Sequence, residues 1–392
     1  MSEALILSGV RTPIGAFQGA LSSLSAPQLG AIAIRAALTR AGVLPDQVDE
    51  VLMGCVLTGG MGQAPARQAA LGAGLPVGIP CTTINKVCGS GMKTVMMAAQ
   101  AVRLGDAEIV VAGGMESMSQ APYAMPAART GFRMGHGKVL DLMVHDGLWD
   151  PYNDCHMGNC GDATSAELGI TREALDAFAA ESYRRALQAQ AEGRLAEEIV
   201  PVEVPQRKGD PILVSADEEP GKGDPAKLAS LRPAFAKDGV TTAGNASSID
   251  DGAASLVIAS RAGAHKVGAT PLARIRAYIS HAQEPAKFTT APISAIRKLL
   301  EREGLTVDDI DLFEVNEAFA VVAMAAQDAL RIPLEKLNVN GGAVSLGHPI
   351  GMTGARLVLT AMHELRRRGG RFAVASPCIG GGEATAILLE AL

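Results

Sequence analysis

Cys88 stands in Val87-Cys88-Gly89-Ser90-Gly91, a glycine-flanked turn ahead of an apolar stretch from Met92 to Val102. A turn that opens a helix aims backbone N–H groups and the positive end of the helix dipole at its occupant. A thiol placed there is expected to have a lowered pKa and an exposed, nucleophilic sulfur. The competing reading is a buried structural cysteine. His348 sits in Asn340-Gly341-Gly342-Ala343-Val344-Ser345-Leu346-Gly347-His348-Pro349-Ile350-Gly351. So many glycines around one imidazole suit a tight loop that carries a base to a site, or a loop histidine that caps a helix. Cys378, in Ser376-Pro377-Cys378-Ile379-Gly380-Gly381-Gly382-Glu383, follows a predicted strand. It offers a second thiol for proton transfer, and its glycines offer N–H groups to an oxyanion. The alternative is a glycine-rich hairpin with an incidental cysteine. Asn316 opens Asn316-Glu317-Ala318-Phe319-Ala320. Its carboxamide can hold a water or an oxyanion without titrating, or cap a helix.

Other chemistries find little footing. Cys155-His156 and Cys160 match no common zinc spacing, so no metal is expected. No phosphate-binding loop and no dinucleotide fingerprint follows a first strand. The net charge is −6, and the only basic run is Arg366-Arg367-Arg368, placed to end a helix. Nucleic acid is therefore not an expected partner. Met1 to Arg11 holds an apolar run too short for a signal peptide, and no stretch reaches membrane-spanning length. Six cysteines scattered through 392 residues read as free thiols of a reducing cytosol.

What must position these loops is a repeat. Ala26-Pro27 opens an apolar helix ending at Gly42, followed by Val48 to Gly54; Ala291-Pro292 opens another ending at Gly304, followed by Ile310 to Asn316. Gly42 maps onto Gly304 and Asp49 onto Asp311, both at an offset of 262. Proline in the first turn and glycine after the last are helix punctuation, and the apolar runs that follow read as buried strands. The parallel extends from the Cys88 turn, its helix and the strand Ile109 to Ala112, to the His348 loop, a helix from about Gly354 to Arg368 and the strand Phe372 to Ala375. A constant offset across four elements implies a duplicated α/β fold. Its two equivalent turns, carrying Cys88 and His348, should meet near an internal pseudo-twofold axis. Residues 119–249 interrupt the pattern; they contain one good helix, Thr171 to Gly193, and a polar surface loop, Gln206 to Lys227. Long insertions of this kind commonly build a substrate cover.

Together these segments resemble the thiolase family over nearly the whole chain. The resemblance rests on Val10-Arg11-Thr12-Pro13-Ile14-Gly15, the Cys88 turn, Gly113 to Ser119, Thr242 to Ser247, Asn316 to Phe319, the Gly341 to Gly351 loop and Cys378 to Gly382, in order and at similar separations. It implies two βαβαβαββ halves in a five-layer α-β-α-β-α arrangement with an inserted loop domain. The boundaries would be 1–118 plus 250–270, 119–249 and 271–392. It also implies roles: Cys88 takes the acyl group, His348 accepts its proton, and Cys378 removes an α-proton from a second acetyl-CoA. Asn316 would hold a water that with His348 forms one oxyanion hole; the N–H groups of Cys88 and Gly380 would form the other.

Arg133 to Gly135, Asp146 to Leu148 and His156-Met157-Gly158 resemble the biosynthetic, acetoacetyl-CoA branch of the family. That implies acetyl-CoA, acetoacetyl-CoA and CoA as ligands, no separate cofactor, and a cytoplasmic homotetramer joined through a loop near 125–142. Leu148, His156, Met157, Phe235, Ser247, Ala318 and Phe319 match positions that line the pantetheine and acetyl pocket, with Met157 and Phe319 narrowing its end. The sequence departs from the family at Glu219-Pro220-Gly221-Lys222-Gly223, where Lys222 stands in place of an arginine facing the CoA nucleotide. The rival readings are a degradative 3-ketoacyl-CoA or 3-oxoadipyl-CoA thiolase, a ketoacyl synthase, which lacks the second cysteine, and a non-catalytic acyl-CoA-binding protein.

Overall fold

The computed structural model describes residues 3–392. Its first half runs β1 (Leu5–Arg11), α1 (Ala26–Ala41), β2 (Glu50–Gly54), α2 (Pro65–Gly72), β3 (Cys81–Ile84), α3 (Ser90–Leu104) and β4 (Ile109–Ser117). An insertion with α4 (Met157–Leu168) and α5 (Arg172–Ala191) follows, before β5 (Asp250–Ala259) completes the half. The second half comprises β6 (Ala273–Ala282), α6 (Ala291–Glu303), β7 (Leu312–Val315), α7 (Ala320–Leu330), α8 (Ile350–Arg368), β8 (Phe372–Ser376) and β9 (Glu383–Ala391).

The repeat is visible in the pairing. In the first half β2 lies parallel to β3 and β4, and β4, β5 and β1 continue antiparallel. In the second, β7 is parallel to β8, and β8, β9 and β6 continue antiparallel; a single parallel bridge, Phe313 to Leu337, stands where β3 does. The half-sheets join through two residue pairs, Leu5–Arg274 and Ile6–Ala273. Helices α3 and α8 pack on each other, and each touches strands of both halves; α1 and α2 cover the outer face of the first sheet, α6 and α7 that of the second. These are the five expected layers.

The helix punctuation acts as the sequence predicts. Pro27 and Pro292 lie in first turns, and Gly42 and Gly304 close the helices in left-handed conformation at φ 66° and 67°. Two boundaries differ. Helix α8 starts at Ile350, not near Gly354, because the chain turns helical directly after Pro349. Strand β4 runs through Gly113 and Gly114 to Ser117. The glycines do not end it; they make room, since a Cβ on Gly114 would stand 2.0 Å from Gly351 O in the first turn of α8. The same closeness recurs between the central helices, where a Cβ on Gly91 would fall 2.8 Å from Ala355 N and one on Gly354 2.4 Å from Met92 N. The N-terminal ends of α3 and α8 thus meet backbone to backbone, which draws the Cys88 and His348 turns together.

In the insertion, α5 matches the predicted helix, with Thr171 accepting from Ala174 N at 3.3 Å as its cap. Leu175, Ala179 and Ala186 are buried there. The predicted surface loop 206–227 is mostly exposed, but Asp217 and Pro220 are buried, Asp217 against Arg11. Arg11, itself fully buried, meets both Asp217 oxygens at 2.6 and 2.8 Å and Glu198 at 2.6 Å. A buried guanidinium requires such partners, so the loop is tethered to the first strand. No described helix is long and apolar enough to cross a membrane.

Candidate active site

Cys88 occupies a strained elbow between β3 and α3. Val87 before it has φ 45°, a left-handed value that a β-branched residue adopts only under constraint. The constraint is local: Val87 N donates to Asn85 Oδ1 (2.9 Å), and Ser90 Oγ accepts from Lys86 N (2.8 Å) while donating to Val87 O (2.6 Å). Ile379 packs on the same turn, since a Cβ on Gly89 would lie 2.3 Å from its Cδ1. This contact seats the Cys378 loop against Cys88.

The expectation of a lowered thiol pKa is corrected here. Burial pushes Cys88 up to about 11; the N–H groups of Gly380 and of Cys88 itself pull it down without prevailing, and Glu116 adds repulsion. The helix start supplies the expected donors, but the sulfur lies in apolar surroundings, where desolvation of the thiolate is the larger effect. At neutral pH Cys88 is therefore a thiol that needs a base. The convergence of two N–H groups on its sulfur is the geometry of an oxyanion site.

The partners come from the second half. His348 is buried; its backbone N–H donates to Asp250 Oδ2 at 2.7 Å, and its Nδ1 lies 2.7 Å from Thr353 Oγ1. Its Nε2 has no partner among the described residues. Burial, aided by the Arg356 cation, holds its pKa down at about 3, so the imidazole is neutral. Cys378 is fully buried; its pKa is driven well above the usual thiol range by burial and by the proximity of Cys88, against N–H groups of its own and of Ala318. Asn316 is also fully buried, and both polar atoms of its carboxamide lack a partner among the described residues. It does not cap the helix after it, because the N-cap of α7 is Phe319. A buried carboxamide left open in this way suits a water or an oxyanion.

A cavity of about 180 Å³ reaches this cluster. Cys88, His348 and Gly380 line it, together with Leu148, His156, Met157, Phe235, Ser247, Ala318 and Phe319, all named from the sequence. Cys378 and Asn316 are not on its wall. The aromatic side is ordered: His156 stacks on Phe235 at 4.6 Å, Phe319 meets Phe235 edge-on at 5.9 Å, and Phe288 meets Phe319 at 6.3 Å. His156 Nδ1 accepts from Gly158 N at 3.1 Å and so caps α4, while burial lowers its pKa and favours the neutral ring. Ser247 is fixed by two bonds to Ala318 O, from N at 3.0 Å and Oγ at 2.9 Å.

Sequence reasoning missed Met118, Ile249, Phe288 and Ile350 on the wall. Met118 and Ile350 lie inside quoted motifs; nothing in the chain marks Phe288. Lys222, expected near the CoA nucleotide, ion-pairs with Glu218 at 3.2 Å. Asp150, Cys155 and Cys160 bring their ligand atoms within 4.8 Å of one another, a closeness their spacing did not suggest. The Asp150 carboxylate holds its own turn, accepting from Tyr152 N at 2.8 Å and Asn153 Nδ2 at 2.7 Å.

The model of the thiolase N-terminal domain matches residues 4–262 and that of the thiolase C-terminal domain residues 269–391. The chain belongs to the thiolase family, and it is an acyltransferase. Among its relatives are the acetyl-CoA acetyltransferase of Cupriavidus necator, 51% identical over 391 residues with all of both chains covered, and that of Pseudomonas aeruginosa, 50% identical over 390 residues and 99% of each. Acetyl-CoA acetyltransferase 2 of Arabidopsis thaliana is 53% identical, covering all of this chain and 97% of its own. The crystal structure of the Acat5 thiolase from Ascaris suum in complex with coenzyme A superposes with a TM-score of 0.95, at 42% identity and full coverage of both chains.

Proposed function

We propose that this protein is an acetyl-CoA C-acetyltransferase that condenses two acetyl-CoA into acetoacetyl-CoA and CoA, and runs the reverse thiolysis, through an acetyl-Cys88 intermediate. The observation that carries the proposal is one narrow cavity lined by the Cys88 thiol and an imidazole with a free Nε2, with a second thiol, Cys378, close to Cys88 behind its wall.

In the first half-reaction His348 Nε2 takes the Cys88 proton as the sulfur bonds to the acetyl carbonyl carbon. The N–H groups of Cys88 and Gly380 hold the developing oxyanion. The C–S bond to CoA breaks, and the CoA thiolate leaves with the proton of Cys378, so that Cys378 becomes the thiolate while His348 stays protonated at Nε2. In the second, Cys378 as thiolate removes an α-proton from a new acetyl-CoA. The enolate oxygen rests against His348 and a water held by Asn316. The enolate carbon bonds to the acetyl carbon, the bond to Cys88 breaks, and His348 returns its proton to the Cys88 sulfur to complete the cycle. The covalent intermediate splits a hard condensation into two transfers. CoA thioesters are substrates, and the cycle needs no further cofactor.

Leu148, His156, Met157, Phe235, Ser247, Ala318 and Phe319 form the pantetheine and acetyl channel in this reading, with the insertion 119–249 as its loop domain. A homotetramer is supported by apolar side chains exposed on the loop 125–142, Met134 at 93% and Val139 at 53% among them. Six free cysteines accord with a cytoplasmic location. Thiolysis of four-carbon against eight- and ten-carbon 3-ketoacyl-CoA tests the substrate, and preference for the longer chains would overturn the short-chain assignment. Mass mapping after acetyl-CoA exposure should find the acetyl group on the Cys88 peptide, and light scattering tests the tetramer.

A further inference from the structure

We propose that Thr353 is a positioning residue that fixes His348 as the Nδ1–H tautomer and so presents the bare Nε2 lone pair to the cavity. Thr353 Oγ1 lies between two partners, His348 Nδ1 at 2.7 Å and Pro349 O at 2.9 Å. Its single proton can serve only one of them. If it goes to Pro349 O, the hydroxyl must accept from Nδ1–H, and each proton of the pair has an acceptor. If it goes to Nδ1, the Pro349 bond is lost and Nε2 carries a buried N–H. Nε2 meets no partner among the described residues in either arrangement, so the hydroxyl bond to Pro349 O, kept only in the first and contributing about 0.5–1.5 kcal/mol, favours the first. Thr353 and Pro349 lie on consecutive turns at the start of α8, so the helix that carries the loop also sets the orientation of its imidazole.

This inference deepens the reading of His348 as the acceptor of the Cys88 proton, and its tests separate the two. In protein labelled with 15N-histidine, the His348 ring signals are those missing from His348→Asn. They should report a proton on Nδ1; a proton on Nε2 would overturn the inference without any measurement of turnover. In acetyl transfer, Thr353→Val keeps the shape and removes the acceptor. It should lower kcat by about tenfold to a hundredfold, the range of lost orienting partners, with KM for acetyl-CoA within about twofold. Thr353→Ser, which restores the hydroxyl, should recover most of that loss. Wild-type kcat in Thr353→Val, or equal damage in both variants, would refute the role. Retained acetyl transfer in Cys88→Ala would instead refute the proposed function and leave the tautomer measurement standing.

Discussion

The resting state of the Cys88–His348 pair can be tested through the pH dependence of two reactions at one sulfur. The thiol stands at about 11 against an ordinary 9.0, and the imidazole at about 3 against 6.5. Each unit is a factor of ten, so at pH 7 the thiolate fraction of Cys88 falls from about one in a hundred to about one in ten thousand. Iodoacetamide reads that fraction directly. Its rate at Cys88, followed by peptide mass mapping, should be about a hundredfold below that of an ordinary thiol at pH 7. It should climb about tenfold per unit through pH 9 without a plateau. Acetylation by acetyl-CoA should behave otherwise, because neutral His348 removes the proton during attack. Its folded-state pKa is depressed, so the basic form persists as pH falls through 6 and is lost only near 3. The acetylation rate should therefore stay level from about pH 6 to 9, and in His348→Asn it should acquire the tenfold slope. A plateau in alkylation with a midpoint below 9 would refute the reasoning, since it would mean that the N–H donors overcome desolvation.

Other outcomes follow from the same geometry. Cys378→Ala should still acetylate Cys88 yet lose condensation by about a hundredfold to ten-thousandfold, as expected for removal of a general base; condensation near the wild-type rate would refute that role. Gly354→Ala sets a methyl 2.4 Å from Met92 N and should destabilise by about 1–3 kcal/mol or more, read from the urea midpoint. Met157→Ala should widen the channel end, where Met157 Cε lies 3.4 Å from the Cβ position of Gly380, and raise six-carbon over four-carbon thiolysis by about tenfold. An unchanged ratio would place the chain-length limit elsewhere.

The parts of the fold legible in the sequence are those carried by local chemistry. Proline and glycine at Pro27, Gly42, Pro292 and Gly304 mark helix ends because they act through their own backbone angles. The offset that links them exposes the duplication. The side chains that gather at the cavity lie in short motifs, so their types were visible before their positions. What stayed hidden depends on distant parts of the chain. The Cys88 pKa has the wrong sign in a local reading, because the helix start is near in sequence whereas the apolar surroundings that outweigh the N–H donors come from elsewhere in the chain. The burial of Asp217 in a polar loop follows from Arg11, some two hundred residues away. Phe288 reaches the cavity from a turn without any motif, and the extension of β4 through Gly113 and Gly114 makes sense only once α8 lies across it.

The place of β5 has a consequence for synthesis. It is the strand that joins β1 to β4, yet the whole insertion separates it from β4 along the chain. A nascent chain that has just made β4 therefore presents an unpaired edge of β4, a β1 with no partner and the apolar face of α3, and it must keep them from other chains while the insertion emerges. Such a gap favours aggregation of truncated or stalled products, and it makes Asp250–Ala259 the segment whose arrival closes the first half.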